Sequence, residues 1–265
     1  MAVDATKPKR ILVVHGVEAG TDADQHQDID INKLITTRLN GAPLNFETKL
    51  YAYENINDTA QRRFREVLAL FTTAILMQRP VDLAADIVGD VVIALQDGST
   101  ARTIRQGLVD RILETYEEGN PLYLLAHSLG SIYAFDAVNQ LVDTHGYFDR
   151  DDRKTWPVQG LVTIGSPVGL RMFGRNRVVP LGGGTKSKFL RWINYWDRTD
   201  PVVSGSFYGQ PNEGYTIVER FATAGADVGW LIQDKVVDVG RAWLEAHVGY
   251  WTHPGLGDDL VSLLG

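Results

Sequence analysis

Short apolar segments alternate with longer segments of helical periodicity along most of the chain. The short segments are rich in β-branched and aromatic residues, which is typical of strands. They are Arg10–Val14, Phe46–Tyr53, Tyr123–Ala126, Gly160–Ile164, Phe189–Trp196 and the weaker candidate Val236–Val239. The predicted helices are Ile31–Leu39, Ala60–Met77, Ile104–Tyr116, Ser131–Val142 and Leu256–Leu264. This alternation indicates an α/β protein with a mostly parallel sheet and helices on both faces.

The length and hydrophobic content favour one large domain over two small ones. The chain has 265 residues, of which 44% are hydrophobic, and we expect a single domain over residues 1–265. Residues 54–106 are long for one crossover, so we expect a helical insertion there. Its helix Phe64–Met77 has a broad apolar face, which fits a lid that contacts acyl chains, or a helix packed on the sheet or on a partner.

Composition excludes several classes of function. A net charge of −7 argues against a nucleic-acid partner and against charge-driven binding to anionic membranes. The absence of cysteine excludes disulfides and thiol chemistry. The run Val67–Met77 is shorter than the about 20 residues that span a bilayer, so we expect no stable membrane insertion. The N-terminus has no apolar signal segment, and we expect a cytoplasmic protein.

A serine stands where the third predicted strand meets the following helix. The strand runs into His127-Ser128-Leu129-Gly130, with small residues, Ala126 and Gly130, two positions before and after the serine. This A-x-S-x-G pattern is a relaxed form of the nucleophile turn G-x-S-x-G, in which crowding favours small residues. The alternative is a buried strand followed by an ordinary turn. A nucleophilic serine needs a general base, an acid that orients the base, and donors for an oxyanion.

Two aspartates and two histidines are candidates for the acid and the base. Asp197 and Asp200 both follow a strand, and we favour Asp200 because it precedes Pro201; the alternative for either is an Asx turn or helix cap. His247 and His253 both lie between the last strand and the final helix, as expected for the base.

The first strand ends at a candidate oxyanion loop, His15-Gly16-Val17. We expect the backbone N–H groups of Val17 and Leu129 to hold the oxyanion. The alternative for the first of these is a simple glycine turn. The chain order Ser128, Asp200, His247 is the order found in α/β-hydrolases.

These motifs together resemble the α/β-hydrolase superfamily, and within it the bacterial lipase-like serine hydrolases. The matching segments are Ala126–Ser131, Thr163–Pro167, Asp200–Val202 and His247–Trp251. The last matches the H-x-x-Y-W segment of that group, which favours His247 over His253 as the base. The resemblance implies a carboxylic-ester hydrolase of the esterase or lipase kind, without a metal or organic cofactor, acting on a small-molecule or lipid ester.

Other functions use the same residues. An acyltransferase, a thioesterase or an amidase would need the same three side chains, because the acceptor is chosen by the shape of the pocket. A binding protein built on a hydrolase fold is the non-enzymatic alternative. The acidic stretch Thr21–Asp28 lacks the Gly and Glu of a calcium loop, and we interpret it as a solvated loop.

Overall fold

Six parallel strands form one sheet in a computed structural model that describes residues 2–16, 26–53, 99–143, 147–148, 155–170, 189–205, 229–241 and 244–265. The strands are β1 (Lys9–Val14), β2 (Phe46–Tyr51), β3 (Leu122–His127), β4 (Gly160–Ile164), β5 (Phe189–Asp197) and β6 (Gly229–Val237). Their order across the sheet is β2-β1-β3-β4-β5-β6. Parallel strands are joined by crossovers that cover the faces of the sheet, which explains why the residues of β1, β3 and β4 are almost all buried.

The strand order reverses at β1. Lys9 of β1 pairs with Phe46 of β2 on one side, and Arg10 pairs with Leu122 of β3 on the other. Ligands of open parallel sheets bind beyond the carboxyl ends of the strands at such a reversal. The ends of β1 and β3 are therefore where a site is expected.

Helices cover both faces of this sheet. They are α1 (Gln27–Leu39), α2 (Ser99–Glu117), α3 (Leu129–Asp143), α4 (Pro201–Ser204), α5 (Leu244–Val248) and α6 (Pro254–Leu264), with 3₁₀ turns at Pro167–Gly169 and Gly249–Thr252. Alternate residues of β1 face opposite sides, as the two-residue period of a strand requires. Leu12 and Val14 pack in the cluster that contains α2 and α3, whereas Ile11 and Val13 pack with α1 and α6.

The predicted fold class, a parallel α/β sheet with helices on both faces, is confirmed. The last strand was predicted wrongly at Val236–Val239, because β6 runs from Gly229 to Val237 and shares only two residues with that range. Its centre is polar, Gln233-Asp234-Lys235, and a strand that pairs with only one neighbour can keep polar residues that mask the usual pattern.

The predicted insertion falls almost entirely outside the described residues. Residues 54–98, including the candidate lid Phe64–Met77, belong to the part of the chain that the structure does not describe. Residues 99–106 form the first turns of α2, which packs on the sheet beside α3.

Candidate active site

Ser128 occupies the turn between β3 and α3 in a left-handed backbone conformation. Its φ is +51°, a region that costs free energy for any residue with a Cβ atom. The N–H of Ser128 donates to the carbonyl of Ile164 at 3.1 Å, which ties the turn to the end of β4. A strained non-glycine residue held in this way is typical of a functional position, and here it sets the Oγ beyond the carboxyl end of β3.

Two glycines let the chain pass close to this turn. A Cβ atom on Gly130 would lie 2.2 Å from the carbonyl oxygen of His15 and 2.6 Å from that of Val14. A Cβ atom on Gly16 would lie 2.5 Å from the Cβ of Ser128. The small residue two positions after the serine is therefore required because β1 ends against the first turn of α3.

Asp200 lies at the end of the loop that follows β5 and caps α4. Its Oδ1 accepts the backbone N–H groups of Val202 at 2.9 Å and Val203 at 3.4 Å. Pro201 supplies the first helical residue, where its missing N–H is not needed. These bonds fix the carboxylate and leave Oδ2 for partners outside the helix.

His247, in α5, lies between Asp200 and Ser128. Its Nδ1 is 2.9 Å from Asp200 Oδ2, and its Nε2 is 2.8 Å from Ser128 Oγ. A carboxylate only accepts, so Nδ1 carries the proton and Nε2 accepts from the serine hydroxyl. Asp200 is fully buried, while Ser128 and His247 are 6% and 9% exposed, so the three side chains interact largely away from solvent.

Asp197 and His253, the other candidates for the acid and the base, make different contacts in the structure. Asp197 accepts the backbone N–H and the hydroxyl of Thr199 through Oδ1, each at 2.7 Å, and the N–H of Val239 through Oδ2. It therefore joins the ends of β5 and β6 as an Asx turn. His253 is the N-cap residue of α6, and its ring lies beside that of Tyr195, 6.2 Å between centroids.

One of the two expected oxyanion donors lies within the described residues. Leu129 is the first residue of α3, and the N–H groups of a first helical turn have no intrahelical acceptor. The positive end of the helix dipole at this turn favours negative charge. Val17 lies outside the described residues, although Gly16 before it is in contact with Ser128.

Two aromatic residues of the site were not assigned a role from the sequence. Tyr250 donates its O–H to Asp200 Oδ2 at 2.8 Å and accepts the backbone N–H of Asp197 at 2.8 Å. The signal was present, because Tyr250 belongs to the H-x-x-Y-W segment. His127 was given no function, yet its Nε2 lies 2.7 Å from the carbonyl oxygen of His247, and the two rings are 4.7 Å apart.

Metal-binding clusters and membrane-spanning helices are both absent from the described part of the chain. Across the described ranges, no cluster of three or more His, Cys, Asp or Glu side chains could hold a metal ion. No helix described by the structure is both long and apolar enough to cross a bilayer. Most of the acidic stretch Thr21–Asp28 lies outside those ranges.

No protein-family model matches the sequence, and no curated protein matches it. Among solved structures, the chain is similar to the esterase domain of a Rhodothermus marinus protein, with 12% identity, coverage of 100% of this chain and 91% of that one, and a TM-score of 0.44. It is similar to an α/β-hydrolase enzyme from a lagoon-sediment metagenome of Mar Chica, Morocco, with 12% identity, 97% and 90% coverage, and a TM-score of 0.44. It is also similar to an α/β serine hydrolase homologue from Coxiella burnetii, with 11% identity, 100% and 88% coverage, and a TM-score of 0.42.

Proposed function

We propose that the protein is a serine hydrolase that cleaves carboxylic esters through an acyl-enzyme on Ser128. The observation that carries this proposal is the continuous chain of contacts from Ser128 Oγ to His247 Nε2, 2.8 Å, and from His247 Nδ1 to Asp200 Oδ2, 2.9 Å. A nucleophile, its base and the group that orients the base are the parts that acyl transfer to serine requires. Their order along the chain is that of α/β-hydrolases.

In the acylation step, His247 takes the proton of Ser128 as Oγ attacks the ester carbonyl. The backbone N–H of Leu129, together with that of Val17, stabilises the oxyanion of the tetrahedral intermediate. His247 then gives the proton to the leaving alcohol, and the acyl group remains on Oγ. Asp200 stays ionised, and it holds the imidazole in the required tautomer and stabilises the imidazolium.

In the deacylation step, water takes the place of the alcohol. His247 removes a proton from the water, which attacks the acyl carbonyl, and the same N–H groups stabilise the second oxyanion. Ser128 regains its proton from His247 when the carboxylic acid leaves. Atoms and charges balance with water and the ester alone, so the proposal includes no metal or organic cofactor.

The test is hydrolysis of chromogenic p-nitrophenyl esters, from acetyl to palmitoyl, by the wild type and by Ser128→Ala. We expect activity in the wild type and a loss of about 10⁴-fold or more in kcat for the variant, as for other serine nucleophiles. Ser262→Ala is the matched control, since Ser262 is exposed on α6. Activity that survives in Ser128→Ala contradicts the proposal, as does inactivity on every ester when Ser128 also resists a covalent serine probe.

A further inference from the structure

We propose that Tyr250 is a positioning residue that fixes the carboxylate of Asp200 and sets how strongly this carboxylate holds the protonated base. The effect on catalysis rests on the function proposed above, but the effect on His247 can be measured in a protein without activity. Tyr250 is buried, makes two hydrogen bonds of fixed direction and packs with Asp200 and His247 around one crowded glycine.

The direction of the Tyr250 hydroxyl is determined by its two partners. The backbone N–H of Asp197 can only donate, so the phenol oxygen accepts it, at 2.8 Å. The proton of the hydroxyl is then directed to its second partner, Asp200 Oδ2, also at 2.8 Å. Tyr250 is thus a donor of fixed orientation, because the backbone N–H of Asp197 at the end of β5 binds its phenol oxygen.

The same carboxylate oxygen serves both Tyr250 and His247. Asp200 Oδ2 accepts from the phenol at 2.8 Å and from the imidazole Nδ1–H at 2.9 Å, while Oδ1 is occupied by α4. A neutral donor beside the imidazole disperses part of the negative charge of the carboxylate. Tyr250 therefore weakens the attraction of Asp200 for a positive charge on His247 and restrains the plane of the carboxylate.

Gly165 shows how closely the three groups are packed. Its φ is +56°, and a Cβ atom there would lie 2.9 Å from the Tyr250 ring, 3.1 Å from His247 Nδ1 and 3.2 Å from Asp200 Oδ2. The turn after β4 therefore needs glycine for two reasons, conformation and space. All three side chains converge on this one position, which leaves little freedom for any of them to move separately.

Burial and neighbouring negative charge keep the phenol neutral. Burial, followed by the negative charge of Asp200 and the hydrogen bond to it, raises the pKa of Tyr250 well above its ordinary value. Within the described residues, the titratable groups around Tyr250 and its carboxylate partner are His127 of β3, Asp197 of β5, Asp200 and His247 of α5. Tyr250 consequently remains a donor throughout the pH range in which a histidine base operates.

The experiment replaces Tyr250 by Phe, which removes one oxygen and keeps the ring. Tyr195→Phe is the matched control, because Tyr195 also donates to a carboxylate, that of Asp259, but packs beside His253. Two quantities are measured: the pH profile of kcat/KM on a p-nitrophenyl ester, and the pH midpoint of the His247 imidazole signal by NMR. The signal is assigned by its loss in His247→Asn.

We expect kcat/KM of Tyr250→Phe to fall about 10- to 100-fold, the effect of losing a hydrogen bond to a charged group. Without the Tyr250 hydroxyl, the Asp200 carboxylate stabilises a His247 imidazolium more strongly. The acidic limb of the kcat/KM profile and the midpoint of the His247 NMR signal should therefore both move to higher pH, by about 0.5–1 unit. Tyr195→Phe should leave both midpoints in place. A merely structural role would lower stability or active fraction and leave both midpoints unmoved.

The outcomes separate this proposal from the proposed function. An unmoved NMR midpoint in folded Tyr250→Phe, or an equal shift in Tyr195→Phe, overturns the role of Tyr250. A shifted midpoint in a protein that neither hydrolyses esters nor reacts with a serine probe supports the role of Tyr250 and overturns the ester-hydrolase proposal.

Discussion

Replacing Asp200 by Asn tests whether this carboxylate sets the tautomer of His247, because the amide of Asn cannot accept from all the donors that surround the carboxylate. Oδ1 accepts two backbone N–H groups, of Val202 and Val203, and Oδ2 accepts from His247 and Tyr250. An Asn side chain has one accepting oxygen and one donating NH₂ group. In either orientation the NH₂ group therefore faces two donors.

The two orientations differ in how they can relax. With the NH₂ group toward α4, both opposed donors are backbone N–H groups, which cannot change, and each buried unsatisfied donor costs about 1–3 kcal/mol. With the NH₂ group toward His247, the imidazole can move its proton from Nδ1 to Nε2, which removes that conflict and leaves only Tyr250 opposed. The second arrangement has fewer conflicts, so we expect the Asp200→Asn variant to hold His247 in the wrong tautomer.

This tautomer presents Nε2–H to Ser128 and cannot accept the serine proton. We expect kcat on a p-nitrophenyl ester to fall about 10³- to 10⁴-fold, with a stability loss of about 1–3 kcal/mol in urea denaturation. Asp197→Asn is the control, because the Asp197 carboxylate accepts from Thr199 and Val239 and not from His247. The stability of this control should fall by a similar amount, while its kcat stays within about threefold of the wild type. If Asp200→Asn keeps more than about a tenth of the wild-type kcat, or if both variants lose equal activity, Asp200 does not set the tautomer of His247.

Three further predictions follow from individual contacts. His247→Ala should lower kcat by about 10⁴-fold or more, and His253→Ala by less than about tenfold, because His247 lies beside Ser128 and His253 lies beside Tyr195. Steady-state kinetics measure both losses, and circular dichroism spectra that match the wild type show that both variants are folded. Gly130→Ala should lose about 2–3 kcal/mol in urea denaturation, because its new Cβ would lie 2.2 Å from the carbonyl oxygen of His15; an unchanged midpoint would show that β1 can move away. Burial raises the pKa of Tyr51 to about 12, whereas tyrosines in the unfolded chain ionise near 10. The contribution of Tyr51 to stability should therefore be constant below about pH 10 and fall above it by up to about 1.4 kcal/mol per pH unit. Tyr51→Phe should reduce the slope of stability against pH in denaturation curves measured from pH 8 to 11.

The sheet could be predicted from the sequence because its central strands are buried on both faces. The strand Gly160–Ile164 is buried along its whole length and carries a single polar side chain, that of Thr163, so its pattern is clear and its predicted bounds agree with the structure. Among the described strands, β6 pairs with β5 alone, and it carries Gln233, Asp234 and Lys235 at its centre. Its pairing with β5 comes from backbone hydrogen bonds, which no side-chain pattern records.

The side chains of the site were only partly predictable for a different reason. Asp197 and Asp200 are three residues apart in one loop, and only the folded turn decides which of them faces His247. The A-x-S-x-G pattern could be read from the sequence because the crowding of Gly130 against the end of β1 requires a small residue at that position. The bond from Tyr250 to Asp200 joins residues 50 positions apart and depends on the fold of two chain segments.

Covalent trapping by an active-site probe can show directly whether Ser128 is a nucleophile. The protein is treated with a fluorophosphonate, its intact mass is measured, and the modified residue is identified by peptide mapping in the wild type and in Ser128→Ala. Since an activated serine reacts far faster than an ordinary hydroxyl, we expect a single adduct on Ser128 and none in the variant. No adduct on the folded wild type, or an adduct on the neighbouring buried hydroxyl of Ser131, would contradict it.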